Sequence, residues 1–316
     1  MKNRKVLSVI ILVMAMLCLF SSCFGGGSVG MLAGSEKGSL YPVGRAVSGI
    51  LTNENTGAGT VKVEKSTGAA QNIRDLAEGK ADLALAYNDL AYYAQHGVGP
   101  FASDGVLTGF SAVAGLYTEL CHIVAVPGSE TIFDLAGRSI SVGEAGSSAE
   151  IAARQMVALF GLSFNDFTIL NLSPEASAEA FKKGEISGFF AFGHAPYELV
   201  GALAKECELT LLPITGEMLS MLVDQYRFYT LRSIPPGSYD GVDEEVPTIA
   251  IKVVIMASDS LEEDVVYGIT KSIFEKTSDI QSPYGSEISP IFSSKSILND
   301  FHPGAERYYY EVGALP

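Results

Sequence analysis

Four short stretches hold the residues best suited to polar chemistry: GSEKGSLY (34–41), KSTGAAQN (65–72), YNDLAY (87–92) and GEAGSSAE (143–150). Each sets a small polar residue between an apolar strand-like run and the start of a helix-like run. The first turn of a helix has unpaired N–H groups and a partial positive charge, so hydroxyls and main-chain donors gathered there suit an anion. Ser39, Thr67 and Ser147 are the candidate hydroxyl donors. Singly, each reads better as a helix cap with no ligand. Four at strand carboxyl ends favour a cleft, because open α/β sheets bind ligands along that edge.

Aromatic residues stand near the same predicted strand ends: Tyr41, Tyr87, Phe192, His194 and Tyr229. Lining a pocket, they would exclude water and sharpen hydrogen bonds to a small polar ligand. Any one of them alone reads as core.

Catalytic patterns are missing. The chain has no H-E-x-x-H, C-x-x-C or G-x-S-x-G, and TGAGTVK (56–62) lacks the third glycine of a dinucleotide loop. In the phosphate-loop pattern Gly34 and Gly38 stand one residue too close, and Lys37 precedes the second glycine instead of following it. His96, His122, His194 and His302 are widely separated, and His122, inside an apolar run, reads as a satisfied core or hinge histidine. Asp240, Asp243, Glu244 and Glu245 read as a solvated loop. No catalytic residue, metal ligand or cofactor is assigned.

The elements that must position these residues alternate almost from end to end. Strand-like runs are VGMLAG, TVKVEKS, DLALAY, SAVAGLY, CHIVAV, SISVG, FTILNL, SGFFAF, LTLLPI and TIAIKVVIMA. Helix-like runs cover 40–54, 69–79, 88–95, 147–161, 174–183, 196–205, 215–225 and 261–277. This is the pattern of parallel strands joined by crossover helices, so the fold class is α/β. Ten strands are many for one sheet. IRDLAEGKADLALAY and EAFKKGEISGFFAF echo one another, with Gly79 and Gly184 where a helix end needs a left-handed residue, as two similar lobes would produce. The weakest structure is predicted over LRSIPPGSYDGVDEEVP (231–247), which carries the chain back from the second lobe and leaves the first discontinuous.

Residues 1–22 read as an export signal: Lys2, Arg4 and Lys5 precede an apolar run from Val6 to Phe20 that is short for a bilayer crossing. Small serines before Cys23 and a glycine tether after it mark Cys23 as a lipidation site, with a plain cleaved signal as the alternative. Removing the signal takes away three cations and no acids, so the formal charge moves from -15 to -18. Such a surface repels polyanions, which excludes nucleic acid as a partner. The remaining 294 residues fit two lobes of ordinary size. Cys121 and Cys207 read as two buried free thiols, with a bridge as the alternative in an oxidising compartment.

The mature chain resembles the TAXI-type solute receptors of TRAP transporters from Val29 to Gly313. The stretches that carry the resemblance are GSEKGSLYPVG, STGAAQNIRDLAEGKADLALA, VAGLYTELCHIVA, FDLAGRSISVGEAGSSAE, GFFAFGHAP, IPPGSYDGVDEEVPTIAI, LEEDVVYGITKSIFE and FHPGAERYYYEVG, in the family's order. Lys37 and Leu40 stand where glycine and tyrosine are usual, Tyr87 where glutamine is common, and Ser148-Ala149 where Gly-Thr is typical.

The resemblance implies a two-lobed periplasmic-binding-protein type II fold, with a hinge and one ligand held between the lobes. Lobe I would comprise residues 29–118 plus 253–316, and lobe II residues 119–252, with 23–28 as lipidated cysteine and tether. Carried over by position, the ligand contacts would be Ser39, Tyr41, Thr67, Gly68, Tyr87, Ser147, Ser148, Phe192, His194 and Tyr229. No arginine stands in these motifs to clamp a carboxylate, since Arg74 and Arg154 sit farther into helices. The implied protein is an extracytoplasmic, lipid-anchored monomer that passes a glutamate- or glutamine-like solute to a TRAP membrane subunit. A sensory receptor of the same fold, and an exported enzyme working through Ser147 or His194, are the alternatives.

Overall fold

The computed structural model describes residues 28–36, 38–54, 56–280, 285 and 287–316. The export segment, Cys23 with its tether as far as Gly27, and Lys37 lie outside them.

The chain starts as a parallel α/β unit. β1 (Ser28–Leu32) pairs in parallel with β2 (Thr60–Glu64) and β3 (Leu83–Tyr87). The crossovers are α1 (Leu40–Asn53) and α2 (Ala69–Ala77). In α1 the buried residues Leu40, Val43, Val47, Ile50 and Leu51 recur at helical spacing and put one stripe on the sheet. Gly44 lies in that stripe because a Cβ there would stand 2.6 Å from the Ala33 Cβ. α3 (Asn88–His96) follows β3 directly and ends at Gly97, whose φ of 62° is left-handed. Gly79 and Gly184, the echoed pair, both have φ 71° just past a helix end.

SAVAGLY and CHIVAV turn out to be one strand, β4 (Phe110–Ala125). The polar Thr118-Glu119 step broke the apolar run in the sequence, yet both residues are buried. β4 pairs antiparallel with β10 (Val246–Ser258) from Leu120↔Ala250 to Phe110↔Ser258, with two register shifts on the way.

The second half of the sheet contains β5 (Ser139–Ser141), β6 (Thr168–Leu170), β7 (Gly188–Gly193) and β8 (Thr210–Leu211). Its helices are α4 (Ser148–Leu159), α5 (Pro174–Lys182), α6 (Glu198–Glu206) and α7 (Gly216–Gln225). The weak segment at 231–247 is a strand at its start, β9 (Thr230–Ile234), because edge pairing with β10 satisfies its backbone while Leu231 and Arg232 face solvent. α8 (Glu263–Glu275), α9 (Pro290–Ser294) and α10 (Pro303–Glu311) complete the chain; α9 and α10 had no counterpart among the sequence-based helices.

All ten described strands belong to one sheet, ordered β2-β1-β3-β10-β4-β7-β5-β6, with β8 on β4 and β9 on β10. The expectation that ten strands exceed one sheet fails because β4 and β10 are long enough to serve both halves. The core divides where the sheet does not. One buried apolar cluster draws on residues 29–117 and 253–309, and two others on residues 120–251. Cys121 is buried in β4 and Cys207 sits at the end of α6, and both thiols are free, so the bridge does not form.

Candidate functional site

A cleft of about 440 Å³ opens along the strand ends where the cores meet. Six helices start on it. Their N-cap residues, Ser39 of α1, Gly68 of α2, Tyr87 of α3, Ser147 of α4, Ser173 of α5 and Tyr197 of α6, all line the cleft. The four stretches singled out in the sequence therefore converge, joined by Ser173-Pro174-Glu175 and Tyr197, two further helix starts that sequence reasoning had not marked as cleft contacts. Each start brings main-chain N–H groups with no partner inside its helix.

The hydroxyls serve differently from one another. The Ser147 oxygen accepts from Glu150 N at 3.3 Å and caps α4. Ser39 holds the cap position of α1 without a side-chain capping bond, and its Oγ lies 3.4 Å from the Tyr87 hydroxyl instead. Thr67 does not cap α2; Gly68 takes that place with φ 142°, a backbone that side-chain-bearing residues rarely adopt. Ser148 is buried and donates to Asp89 Oδ1 at 2.8 Å, tying the start of α4 to the start of α3.

Of the residues carried over by position, Ser39, Thr67, Gly68, Tyr87, Ser147, Ser148 and Phe192 line the cleft. Three lie elsewhere. Tyr41 packs against the first core, one helical position past the cleft-facing Leu40. Tyr229 is fully buried in the second core, where its hydroxyl donates to Gln155 Oε1 at 2.7 Å. His194 is half-buried just beyond β7, outside the lining, so only Ser147 of the imagined catalytic pair faces the cleft. His122 is a satisfied core histidine. Its Nδ1–H donates to Leu120 O at 3.0 Å and Nε2 accepts from the Tyr239 hydroxyl at 2.7 Å, while burial pulls its pKa down to about 4.

Arg74, read from the sequence as too far into its helix to clamp an acid group, lines the cleft. It is the one cationic side chain in the lining among the described residues. Its Nε donates to Asp104 Oδ2 and its Nη2 to Pro100 O, both at 2.9 Å, and the guanidinium lies over the Phe101 ring. Glu144 and Glu175 stand exposed in the same lining.

Sequence reasoning also missed the carboxylate behind the floor. Glu119 is fully buried on β4, with Oε2 accepting from the Tyr87 hydroxyl at 2.9 Å and Oε1 from the Tyr117 hydroxyl at 3.1 Å. Burial raises its pKa, and the Ser39, Tyr87 and Tyr117 hydroxyls oppose that rise. Asp89, also fully buried, is pushed up to about 6 by burial despite donors from Ser148 and Leu90 N. Among the described residues no group of three or more His, Cys, Asp or Glu side chains is placed to hold a metal. No helix of theirs is long and apolar enough to cross a membrane.

The profile of the NMT1-like family matches residues 31–313. Among solved structures, the chain is similar to the periplasmic aliphatic sulphonate binding protein SsuA from Escherichia coli, at 12% identity, with 92% of this chain and 84% of that chain covered and a TM-score of 0.50. MatC from Rhodopseudomonas palustris with bound malate is 13% identical, over 80% of this chain and 86% of that one, with a TM-score of 0.53. PhnD1 from Prochlorococcus marinus in complex with methylphosphonate is 10% identical, over 91% and 99%, also with a TM-score of 0.53. At such identities the likeness shows the fold, which is the mixed α/β fold of periplasmic solute-binding proteins.

Proposed function

The chain belongs to the NMT1-like family, and from that premise we propose that it is an extracytoplasmic receptor that captures one small organic anion or amino acid in the cleft and hands it to a membrane permease. The observation that carries this reading is the convergence of six helix starts on one cleft between separate cores. An acidic protein can hold an acid group there on main-chain N–H groups, assisted by Arg74. The malate, methylphosphonate and sulphonate named for the structural neighbours are small acids, which supports the same ligand class.

The finer assignments rest on the sequence. The motif order favours TAXI-type delivery to a TRAP membrane subunit, with a glutamate- or glutamine-like solute. Cys23 and the apolar segment before it favour a lipid anchor outside the cytoplasm. Lobe I is assigned 29–118 plus 253–316 and lobe II 119–252, so the hinge falls where Thr118 of β4 pairs with Lys252 of β10. The protein works as a carrier without catalysis.

A thermal-unfolding panel tests the central claim: glutamate, glutamine, 2-oxoglutarate, malate, methylphosphonate and ethanesulphonate. A true ligand at 100 times its dissociation constant stabilises the fold by about 2.7 kcal/mol and raises the melting temperature accordingly. Stabilisation by none of the six would refute capture of a small acid.

A further inference from the structure

Resting on the receptor reading, we propose that Ser39, Tyr87 and the buried Glu119 form an acceptor floor that selects a solute bearing a protonated amine beside its acid group.

The argument starts from hydrogen positions. A carboxylate only accepts. With one oxygen of Glu119 held by the Tyr87 hydroxyl at 2.9 Å and the other by the Tyr117 hydroxyl at 3.1 Å, both phenolic hydrogens point away from the cleft. The Tyr87 oxygen can then only accept in its 3.4 Å contact with Ser39, so the serine hydrogen is drawn inward as well. Ser39 and Tyr87 both line the cleft, and what they turn toward it is lone pairs. A hydroxyl pair that would ordinarily donate to an anion has been converted into a surface that asks for a donor.

The surrounding charges agree. The lining holds Glu144 and Glu175 against Arg74, and Arg74 already bonds Asp104. A bare dianion would meet acceptors and carboxylates over much of the cleft. An amino acid, or an amino-phosphonate or amino-sulphonate, can place its acid group on the starts of α2 and α4 beside Arg74 and its ammonium group on the floor. A buried carboxylate satisfied by tyrosines is often only a structural network. Here two of its hydroxyl neighbours are cleft wall, so the network sets the polarity of the site.

Titration calorimetry on matched pairs tests this: glutamate against glutarate, taurine against ethanesulphonate, and 2-aminoethylphosphonate against ethylphosphonate. The protein should bind the amine-bearing member at least about tenfold tighter in every pair where either binds. In Glu119→Gln the side-chain amide set against Tyr87 donates to its oxygen, the Tyr87 hydrogen turns toward the cleft, and the preference should fall at least about fivefold while the bare acid binds as well as before or better. Tyr87→Phe, which leaves Glu119 and Tyr117 in place, should lose the preference too. Equal binding of the members of each pair, or equal loss of both members in the variants, overturns the inference and leaves the receptor reading intact. Binding of none of the six overturns both.

Discussion

Asp89 offers a sharp test, because its charge state and its cross-contact are one feature. Its Oδ1 accepts from Ser148 Oγ and Leu90 N, its Oδ2 has no hydrogen-bond partner, and burial pushes its pKa from 3.8 to about 6. The folded carboxyl thus holds a proton more tightly than the unfolded one. Stability from this group is fully present at low pH and is lost as pH rises through the folded value. The interval from 3.8 to about 6, at about 1.4 kcal/mol per pH unit, makes about 3 kcal/mol. Tyr93 and Tyr229, the titratable groups that sense its charge, ionise far above this range. Asp89→Asn keeps an acceptor for Ser148 and Leu90 but does not titrate, and its unpartnered amide adds an offset of about 1–3 kcal/mol that is independent of pH. Urea unfolding of both proteins between about pH 4 and about pH 7.5 should show the variant gaining about 2.4 kcal/mol on the parent as pH rises, the rest of the interval lying below pH 4. A flat difference across that range would refute a buried, proton-holding Asp89.

Three further predictions are simpler. Ser147→Ala removes the cap of α4, and should lower stability by about 1 kcal/mol while weakening solute binding by more than that in titration calorimetry; unchanged affinity would make Ser147 a cap alone. Gly44→Ala forces a methyl against Ala33 and Leu85, and chemical denaturation should show a loss of about 1–3 kcal/mol. In the native state a thiol reagent should label the partly exposed Cys207 and spare the buried Cys121, whose thiol burial makes harder to ionise; reductant should not shift the melting temperature.

Where periodicity carried the signal, the sequence was easy to read. The stripe of α1 and the alternation of helices with apolar runs were legible because one face of each element meets the core. β4 was read as two strands because Thr118 and Glu119 interrupt its apolar run, and nothing in the local pattern says that the core supplies partners for them. Glu119 finds Tyr87 32 positions away, across the sheet. Strand carboxyl ends pointed to Ser39, Gly68 and Ser147, which line the cleft, but nearness to a strand end does not say which face a side chain takes, and Tyr229 and His194 went elsewhere. Arg74 was discounted for lying within α2. Side chains on a helix lean toward its N-terminus, so a long residue in the second turn still reaches the helix mouth.

The paired crossing of β4 and β10 restricts how this gene can change length. Loops at the sheet margins can gain or lose a codon with little effect, but a single residue added within β4 would turn the strand over from that point on. Glu119 and Cys121 would exchange faces with Thr118 and Leu120, withdrawing the carboxylate behind the cleft floor and mixing two cores. The strand already contains two such additions: Val254 pairs with Gly115 and Met256 with Ala112, leaving Leu116 and Val113 as extra residues at the two register shifts. The first inverts the strand and the second rights it. Deletions tolerated here should therefore come in pairs.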